Sequence, residues 1–437
     1  MLLSMTVSKK SLIRFGALAL ATVTAGSLAG CSAESAPAEL SDGPVTISFT
    51  FWGGDARVQD TEEAIAAFEA AHENITVEVQ SADWTGYWDQ LATQTAAGEM
   101  PDLVQMSDLY VSSYADRGAL RDLEELDIDT SKIDPAVLDL GRVGGTLYGI
   151  THGTGMYALV ANVDLFEKYG VELPDDDTWS WDDYAQIAQE LTEKSGGEIT
   201  GSDQTGGFDV HGLRYWIRSA GGELFDEDGN VAMDPEALAA MWQFELDLQE
   251  SGGMLSASAI TESFNAGISG NALASKQVAL GVATDNQLTA LEESTGSELR
   301  LLKLPEPEGV KPAFFGPTMY WSVASTSEHP AEAALLADFL ANSQEAGEII
   351  QTERGLPANS DVRAAISAEL PEAAQAAIEY EESVETGDAP LVAPNGASTL
   401  ETILQRYTQE VLAGQQAPLD AAEAFAAELQ SEIDNAR

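Results

Sequence analysis

Residues 45–51, with the sequence VTISFTF, decide the fold class because apolar and small polar residues alternate along them. An alternation with a period of two is typical of a β-strand that buries one of its faces. Residues 75–79, ITVEV, repeat the alternation, and residues 103–106, LVQM, form a short and mostly apolar run after Pro101. The three segments therefore predict three successive strands.

Helical patterns lie between these strands. Asp60, followed by Glu63 three residues later, predicts a capping box that begins a helix. The aromatic and apolar residues of 84–91 recur at helical spacing, and Gly98 is the expected end of that second helix. Strands that alternate with helices predict an α/β fold with a parallel sheet.

The rest of the chain is mostly helical in pattern, and its length of 437 residues predicts two lobes rather than one compact unit. We predict helices at residues 181–192, 235–250, 331–342, 364–382 and 400–412, and short strands at residues 278–282 and 320–324.

The charge balance excludes several classes of partner. The chain carries 20 Lys and Arg against 73 Asp and Glu, a formal net charge of -53. Such a field repels phosphate backbones, which argues against nucleic-acid binding. One cysteine cannot build a disulfide framework, and the four histidines lack metal-ligand spacing. We therefore predict no nucleic-acid partner, no metal and no cofactor.

The N-terminal residues predict export. Three basic residues within positions 9–14 precede an uncharged apolar stretch, residues 15–28, that is too short for a stop-transfer helix. We interpret residues 1–30 as a signal peptide. Residues 28–31, LAGC, then resemble the lipobox of bacterial lipoproteins, in which the cysteine receives a lipid.

Cys31 is accordingly the predicted lipidation site, and a buried free cysteine is the alternative. Residues 31–43 contain Pro37 and small polar residues, which favours a flexible tether between lipid and folded body. The expected location is the outer face of the cytoplasmic membrane, reached through the lipid anchor.

Two motifs have simpler interpretations than the sites they imitate. Residues 153–158, GTGMYA, match a dinucleotide fingerprint, but no helix start follows them, and we favour a hinge between lobes. Residues 226–230, DEDGN, imitate the start of a calcium loop without its closing Glu, and we favour a turn. The sequence contains no GxSxG, HExxH or Walker motif, so we expect no enzyme.

Aromatic and acidic residues follow the three predicted strands. In parallel α/β sheets the carboxyl ends of the strands form the ligand edge. An indole face packs against the C–H face of a sugar, while carboxylates accept hydrogen bonds from its hydroxyls. These positions therefore predict a carbohydrate site. They are Trp52, Asp55, Asp83, Trp84, Asp108 and Tyr110.

Residues 83–108, DWTGYWDQLATQTAAGEMPDLVQMSD, resemble the carbohydrate-type extracellular solute-binding proteins of ABC importers, the maltose-binding-protein-like group. Further matches follow in the expected order along nearly the whole mature chain. They are residues 118–123, GALRDL; 145–150, GTLYGI; 162–166, NVDLF; 179–184, WSWDDY; 220–223, AGGE; and 355–357, GLP.

This resemblance implies a two-lobed periplasmic-binding-protein-like fold of type II, with parallel-sheet lobes joined by a hinge and a ligand cleft between them. It places the first lobe at residues 44–153 and 305–327, and the second at residues 154–304 and 328–437. Carried over position by position, it implies ligand contacts from eight residues. They are Trp52, Asp55, Asp108, His152, Asp209, His211, Asp285 and Asn286.

The implied function is that of a monomeric lipoprotein that captures a mono- or oligosaccharide and delivers it to the permease subunits of an ABC transporter. Two alternatives stay open at this point. One is a secreted carbohydrate-active hydrolase with an acid/base pair in the cleft. The other is a binding protein for a non-sugar polyol or polyol phosphate, with Arg354 as the candidate phosphate anchor.

Overall fold

The computed structural model describes residues 39–437. The predicted signal peptide and Cys31 lie outside these residues, as does most of the predicted tether. Within the described range, none of the helices combines the length and the hydropathy that a bilayer crossing requires.

The fold alternates strands and helices along its first part and is dominated by helices afterwards. The strands are β1 Val45–Trp52, β2 Ile75–Ala82, β3 Leu103–Met106, β4 Arg142–Val143, β5 Thr146–Leu147, β6 Ile150–Asn162, β7 Thr200–Ser202, β8 Val278–Thr284, β9 Leu299–Leu302, β10 Phe315–Val323 and β11 Leu356–Pro357. The helices are α1 Asp55–Ala71, α2 Trp84–Ala97, α3 Val111–Asp116, α4 Pro135–Asp139, α5 Val163–Tyr169, α6 Trp181–Lys194, α7 Val210–Ser219, α8 Pro235–Glu250, α9 Ala257–Asn265, α10 Leu288–Thr295, α11 Pro330–Asn342, α12 Gln344–Ile350, α13 Ser360–Ile366, α14 Glu372–Ser383, α15 Leu400–Leu412 and α16 Pro418–Ala436.

The main sheet has the strand order β2-β1-β3-β10-β6-β8-β7, and β9 and β11 also pair with β6. Strand β1 is parallel to β2 and β3, as the sequence predicts. Strand β10 is antiparallel to β3 and to β6, so the sheet is mixed. Strand β10 runs opposite to β3 because the chain leaves the part of the sheet that contains β1, β2 and β3 through β6 and returns to it through β10.

Strand β6 joins two halves of the sheet. Its residues 150–156 pair with β10, whereas residues 157–162 pair with β8 and β9. Every residue of β6 is buried. The GTGMYA motif lies inside this strand, which excludes a phosphate-binding loop there. At Gly153 an added Cβ would stand 2.5 Å from the carbonyl oxygen of Arg354, so the close backbone approach requires glycine.

Separate apolar cores build the two halves of the sheet that β6 joins. One contains Phe49 of β1, Phe68 of α1 and Leu336 of α11. The other contains Val160 and Leu280 of the paired strands β6 and β8. We call the half built on β1, β2, β3 and β10 the first lobe, and the half built on β7, β8 and β9 the second lobe. The expected two-lobed α/β fold is confirmed.

Helices α11 and α12 pack in the core of the first lobe. This packing differs from the expectation that residues 328–437 all belong to the second lobe. The chain returns to the core of the second lobe at α14, where Ala373 and Tyr380 are buried.

Two predicted helix boundaries are wrong. Helix α1 begins at Asp55 rather than Asp60, because Gly54 adopts an extended conformation and starts the helix without a side-chain cap. The helix predicted over residues 364–382 is two helices, α13 and α14, since Pro371 interrupts it. The predicted turn at residues 226–230 is confirmed, and Asp226 closes it by accepting a hydrogen bond from the Asn230 amide.

Candidate functional site

A cavity of about 450 Å³ lies between the two lobes. The first lobe contributes the ends of β1 and β3 with the residues that follow them, including Trp52 and Asp108. The second lobe contributes the start of α7, the residues after β8, and Glu401 of α15. Residues 316–319 of β10 line the floor between the lobes. This position, at the carboxyl ends of parallel strands, is the usual ligand edge of such sheets.

An aromatic cluster forms the wall on the first lobe. Trp52 packs edge-to-face against Trp84, with ring centroids 5.0 Å apart, and also contacts Trp88 at 5.7 Å. Trp84 is 38% exposed, whereas Trp88 is 7% exposed. Trp52 and Trp84 line the cavity, and Trp88 supports them from the core. The wall therefore offers indole surface to an apolar ring face.

Asp108 contributes a carboxylate that joins the two lobes. Its Oδ2 accepts a hydrogen bond from Nη1 of Arg214 at 3.2 Å, and its Oδ1 accepts one from the Ser107 hydroxyl at 3.2 Å. Arg214 lies on α7 and is buried. Asp108 thus lines the cavity and at the same time neutralises a buried guanidinium.

Asp209 and His211 form a second pair at the start of α7. The Asp209 carboxylate accepts from the backbone amides of His211 and Gly212, at 2.6 and 3.3 Å, and so caps the helix. Nδ1 of His211 lies 3.3 Å from the same carboxylate. Burial alone would raise the pKa of Asp209, but the bonds to His211 outweigh it and hold that pKa below its usual range. Conversely, Asp209 overcomes burial and raises the pKa of His211. Each group therefore favours the charged form of the other.

Glu401 adds a third carboxylate to the cavity. It lies in the first turn of α15 and is half-buried. Burial raises its pKa to about 7, and the negative charges of Asp209 and Asp108 act in the same direction, against the opposite effect of His211. Glu401 can therefore either donate or accept a hydrogen bond near neutral pH.

The structure brings together six of the twelve predicted binding residues. Those that line the cavity are Trp52, Trp84, Asp108, Asp209, His211 and Asn286. Those that lie elsewhere are Asp55, Asp83, Tyr110, His152, Asp285 and Arg354.

Three of the residues outside the cavity lie near the strand ends of the first lobe. Asp55 is exposed in the first turn of α1. Asp83 caps α2, because its Oδ1 accepts from the Gly86 amide at 2.8 Å. Tyr110 stacks on Trp88 with ring centroids 3.7 Å apart, which turns its ring into the aromatic cluster.

His152 and Arg354 are buried beneath the cavity. Nδ1 of His152 accepts a hydrogen bond from the Trp321 indole at 3.0 Å, and burial lowers the pKa of His152 to about 3. Arg354 is 1% exposed and donates to the Thr61 hydroxyl at 2.6 Å. Its guanidinium therefore does not reach the cavity, and the phosphate-anchor hypothesis loses its candidate residue.

Asp285 is held by the backbone below the cavity. Its Oδ1 accepts from the amides of Met156 and Asn286, at 2.9 and 2.7 Å. Burial raises the pKa of the neighbouring Glu381, and the charge of Asp285 raises it further. Asp285 thus positions Asn286 at the cavity and ties the second lobe to β6.

Sequence reasoning missed several lining residues. They are Arg57, Phe264, Gln287, Thr318, Met319 and Glu401. Arg57 carried a weak signal, because it comes shortly after the Trp52 loop. Glu401 carried none, because it lies in a predicted amphipathic helix whose orientation depends on tertiary packing. Within residues 39–437, no group of three or more His, Cys, Asp or Glu side chains is arranged to hold a metal ion.

Comparison with known proteins places the chain in a family. A family profile described as bacterial extracellular solute-binding protein matches residues 63–378, well over half of the chain. An uncharacterized lipoprotein in the oleD 5' region of Streptomyces antibioticus is 32% identical over 177 residues, which cover 38% of this chain and 37% of that protein. A lactose-binding protein of Rhizobium radiobacter is 27% identical over 186 residues, which cover 41% and 43% of the two chains.

These matches span less than half the length of either curated relative. Among solved structures, a family 1 extracellular solute-binding protein from Alicyclobacillus acidocaldarius has a TM-score of 0.67 and 25% identity, over 90% of this chain and 100% of that one. The resemblance drawn from the sequence is thereby confirmed. With its two lobes and the cavity between them, the chain belongs to the bacterial extracellular solute-binding protein family.

Proposed function

We propose that this protein captures a mono- or oligosaccharide in the cavity between its lobes and delivers it to the permease subunits of an ABC transporter. The observation that carries the proposal is the composition of the cavity. Indole surface from Trp52 and Trp84 faces it from one lobe, and the polar groups of Asp209, His211 and Asn286 face it from the other. A sugar needs this combination of a flat apolar contact and many hydrogen-bonding partners.

The name of the Rhizobium radiobacter relative, a lactose-binding protein, supports the same substrate class. The cavity of about 450 Å³ lies within the range of small-molecule sites, and its position between the lobes is typical of proteins that close on a ligand. We propose that the protein acts as a monomer, with a first lobe made of residues 44–153 and 305–327 and enlarged by α11 and α12. The second lobe takes residues 154–304 and the remaining C-terminal helices.

A thermal-shift screen against a panel of mono- and oligosaccharides tests the proposed function. A saccharide present at about 100 times its dissociation constant should stabilise the protein by about 2.7 kcal/mol. Failure of every saccharide in the panel to raise the melting temperature would contradict the proposal.

The protein should bind the saccharide without changing it. Long incubation with the stabilising oligosaccharide, followed by product analysis, should return the saccharide intact. Release of shorter products by purified protein would favour the hydrolase alternative, in which a pair of cavity carboxylates does acid/base chemistry.

We also propose that Cys31 carries a lipid that holds the protein on the outer face of the cytoplasmic membrane. The position of the cysteine directly after an apolar stretch supports this, as does the lipoprotein among the relatives. Cys31→Ala should abolish incorporation of radiolabelled fatty acid and release the protein from membranes. Ser35→Ala, in the predicted tether, is the matched control. Continued labelling of the Cys31→Ala protein would contradict the proposal.

A further inference from the structure

The charged groups around the cavity nearly cancel one another. In the part of the chain that the structure describes, three ion pairs border the cavity. Arg214 pairs with Asp108, with Nη1 and Oδ2 3.2 Å apart. His211 pairs with Asp209, with Nδ1 and Oδ1 3.3 Å apart.

Arg57 provides the third pair. Its Nε donates to both carboxylate oxygens of Glu353, at 2.8 and 2.9 Å, and its Nη1 donates to the Trp52 carbonyl oxygen at 3.1 Å. The guanidinium of Arg57 is thus neutralised by Glu353 and oriented by backbone. Each of the three cations therefore already has a carboxylate partner.

Glu401 is a further acidic residue of the cavity and belongs to none of these three ion pairs. It lines the cavity, and no hydrogen bond or ion pair joins its carboxylate to another side chain that the structure describes within residues 39–437. The titratable groups that influence it are Asp108 after β3, Asp209 and His211 at the start of α7, and Tyr110 before α3. The carboxylates of Asp108 and Asp209 repel a negative charge on Glu401, and His211 is already paired with Asp209.

The surroundings of Glu401 therefore disfavour its ionised form, and its pKa is raised to about 7, mainly by burial. A bound ammonium group would supply the missing countercharge, whereas a bound carboxylate would add a further repulsion. The field of the whole chain, with its net charge of -53, acts in the same direction because it attracts cations and repels anions.

We propose that Glu401 is a specificity-determining residue of the cavity. The saccharide that the cavity selects carries a basic nitrogen rather than a carboxylate, because Glu401 lines a cavity whose cations are all paired. This inference rests on the proposed function and narrows its substrate class. An ammonium group on the sugar donates to Glu401, and the hydroxyls of the same sugar use the remaining polar groups.

Proton linkage follows from this arrangement. Below its pKa Glu401 holds a proton, which an arriving ammonium group must displace. Binding of the protonated amino sugar about one pH unit below 7 should therefore release a proton to the buffer, and affinity should rise as the pH increases toward about 7. Tight binding of a neutral sugar requires no such release.

The test compares matched sugars on the full protein. The probes are glucosamine, galactosamine and mannosamine, each beside its neutral hexose and its uronic acid, together with the disaccharides of the three classes. Calorimetry is done in two buffers of different ionisation enthalpy. The proteins are wild type, Glu401→Gln, and Glu423→Gln, which removes an equal charge at an exposed position on α16 outside the cavity.

An amino sugar should bind wild type roughly ten- to a hundredfold more tightly than its neutral counterpart, as expected for a hydrogen bond between charged groups. Glu401→Gln should abolish both this preference and the proton release, and Glu423→Gln should keep them. Tightest binding of a uronic acid, or an unchanged preference in Glu401→Gln, would overturn the role of Glu401 while leaving the proposed function standing. Absence of binding by all three classes would overturn the proposed function and this inference with it.

Discussion

The ion pair between Asp108 and Arg214 leads to a prediction about stability. Arg214 has a side chain 5% exposed, and Asp108 has one 17% exposed. Asp108→Ala removes the countercharge and leaves the guanidinium buried. Breaking a buried pair in this way costs about 3–5 kcal/mol, and the partial exposure of Asp108 favours the lower end. We therefore expect a loss of about 3 kcal/mol in the free energy of unfolding. From the sequence alone, this substitution would be expected to leave folding intact.

A double-mutant cycle isolates the pair. Arg214→Met removes the buried charge while keeping an apolar stem, and Asp108 can then be solvated through the cavity. The double variant should be more stable than Asp108→Ala alone, because it leaves no unpaired guanidinium. The assay is urea unfolding, followed by circular dichroism and by tryptophan fluorescence so that separate unfolding of the lobes is detected.

Two results would contradict the predicted energetic coupling between Asp108 and Arg214. One is an Asp108→Ala protein whose stability lies within about 0.5 kcal/mol of wild type, the range of an ordinary surface substitution. The other is additivity of the two single changes, which would mean that the side chains do not interact energetically.

Three further predictions concern binding and pH. Trp52→Ala should weaken saccharide binding by roughly tenfold or less, because the contact between the indole and the sugar ring is lost. It should also reduce the ligand-induced change in tryptophan fluorescence. An unchanged affinity by calorimetry would contradict this. Wild type should lose stability as the pH rises above the ordinary pKa of a Glu, because the pKa of Glu381 beside Asp285 is raised and the folded state keeps a proton there. In urea unfolding, the Glu381→Gln protein should lose less stability over the same pH range. Parallel pH profiles of the two proteins would contradict this. The pKa of His211 measured by NMR should lie above 6.5, because the effect of Asp209 outweighs that of burial. The stability that this pair contributes is therefore present below pH 6.5 and is lost as the pH rises through the raised pKa. A titration midpoint below 6.5 would contradict this.

The first strands and helix α2 could be predicted because their patterns are local. Alternation along residues 45–51 requires no knowledge of the rest of the chain, and Gly98 ends α2 in a left-handed conformation. The start of α1 could not be predicted in the same way. Asp60 and Glu63 have the spacing of a capping box, but the chain already turns into a helix at Gly54.

The candidate site was only half predictable for a related reason. An acidic residue after a strand is equally compatible with a ligand contact and with a helix cap, and Asp83 turned out to be a cap. Burial of Arg354 depends on the packing of residues distant in sequence, such as Thr61. Glu401 reaches the cavity because α15 packs against the second lobe, which no local pattern could indicate.

The most direct test of the proposed sugar site is a crystal structure of the protein with the saccharide that stabilises it most in the thermal-shift panel. We expect the sugar to lie in the cavity between the lobes. A ring face should pack against Trp52 or Trp84, and its polar groups should lie within hydrogen-bond distance of Asp209, His211 or Glu401. A sugar bound elsewhere on the protein, with this cavity empty, would contradict the proposed binding site.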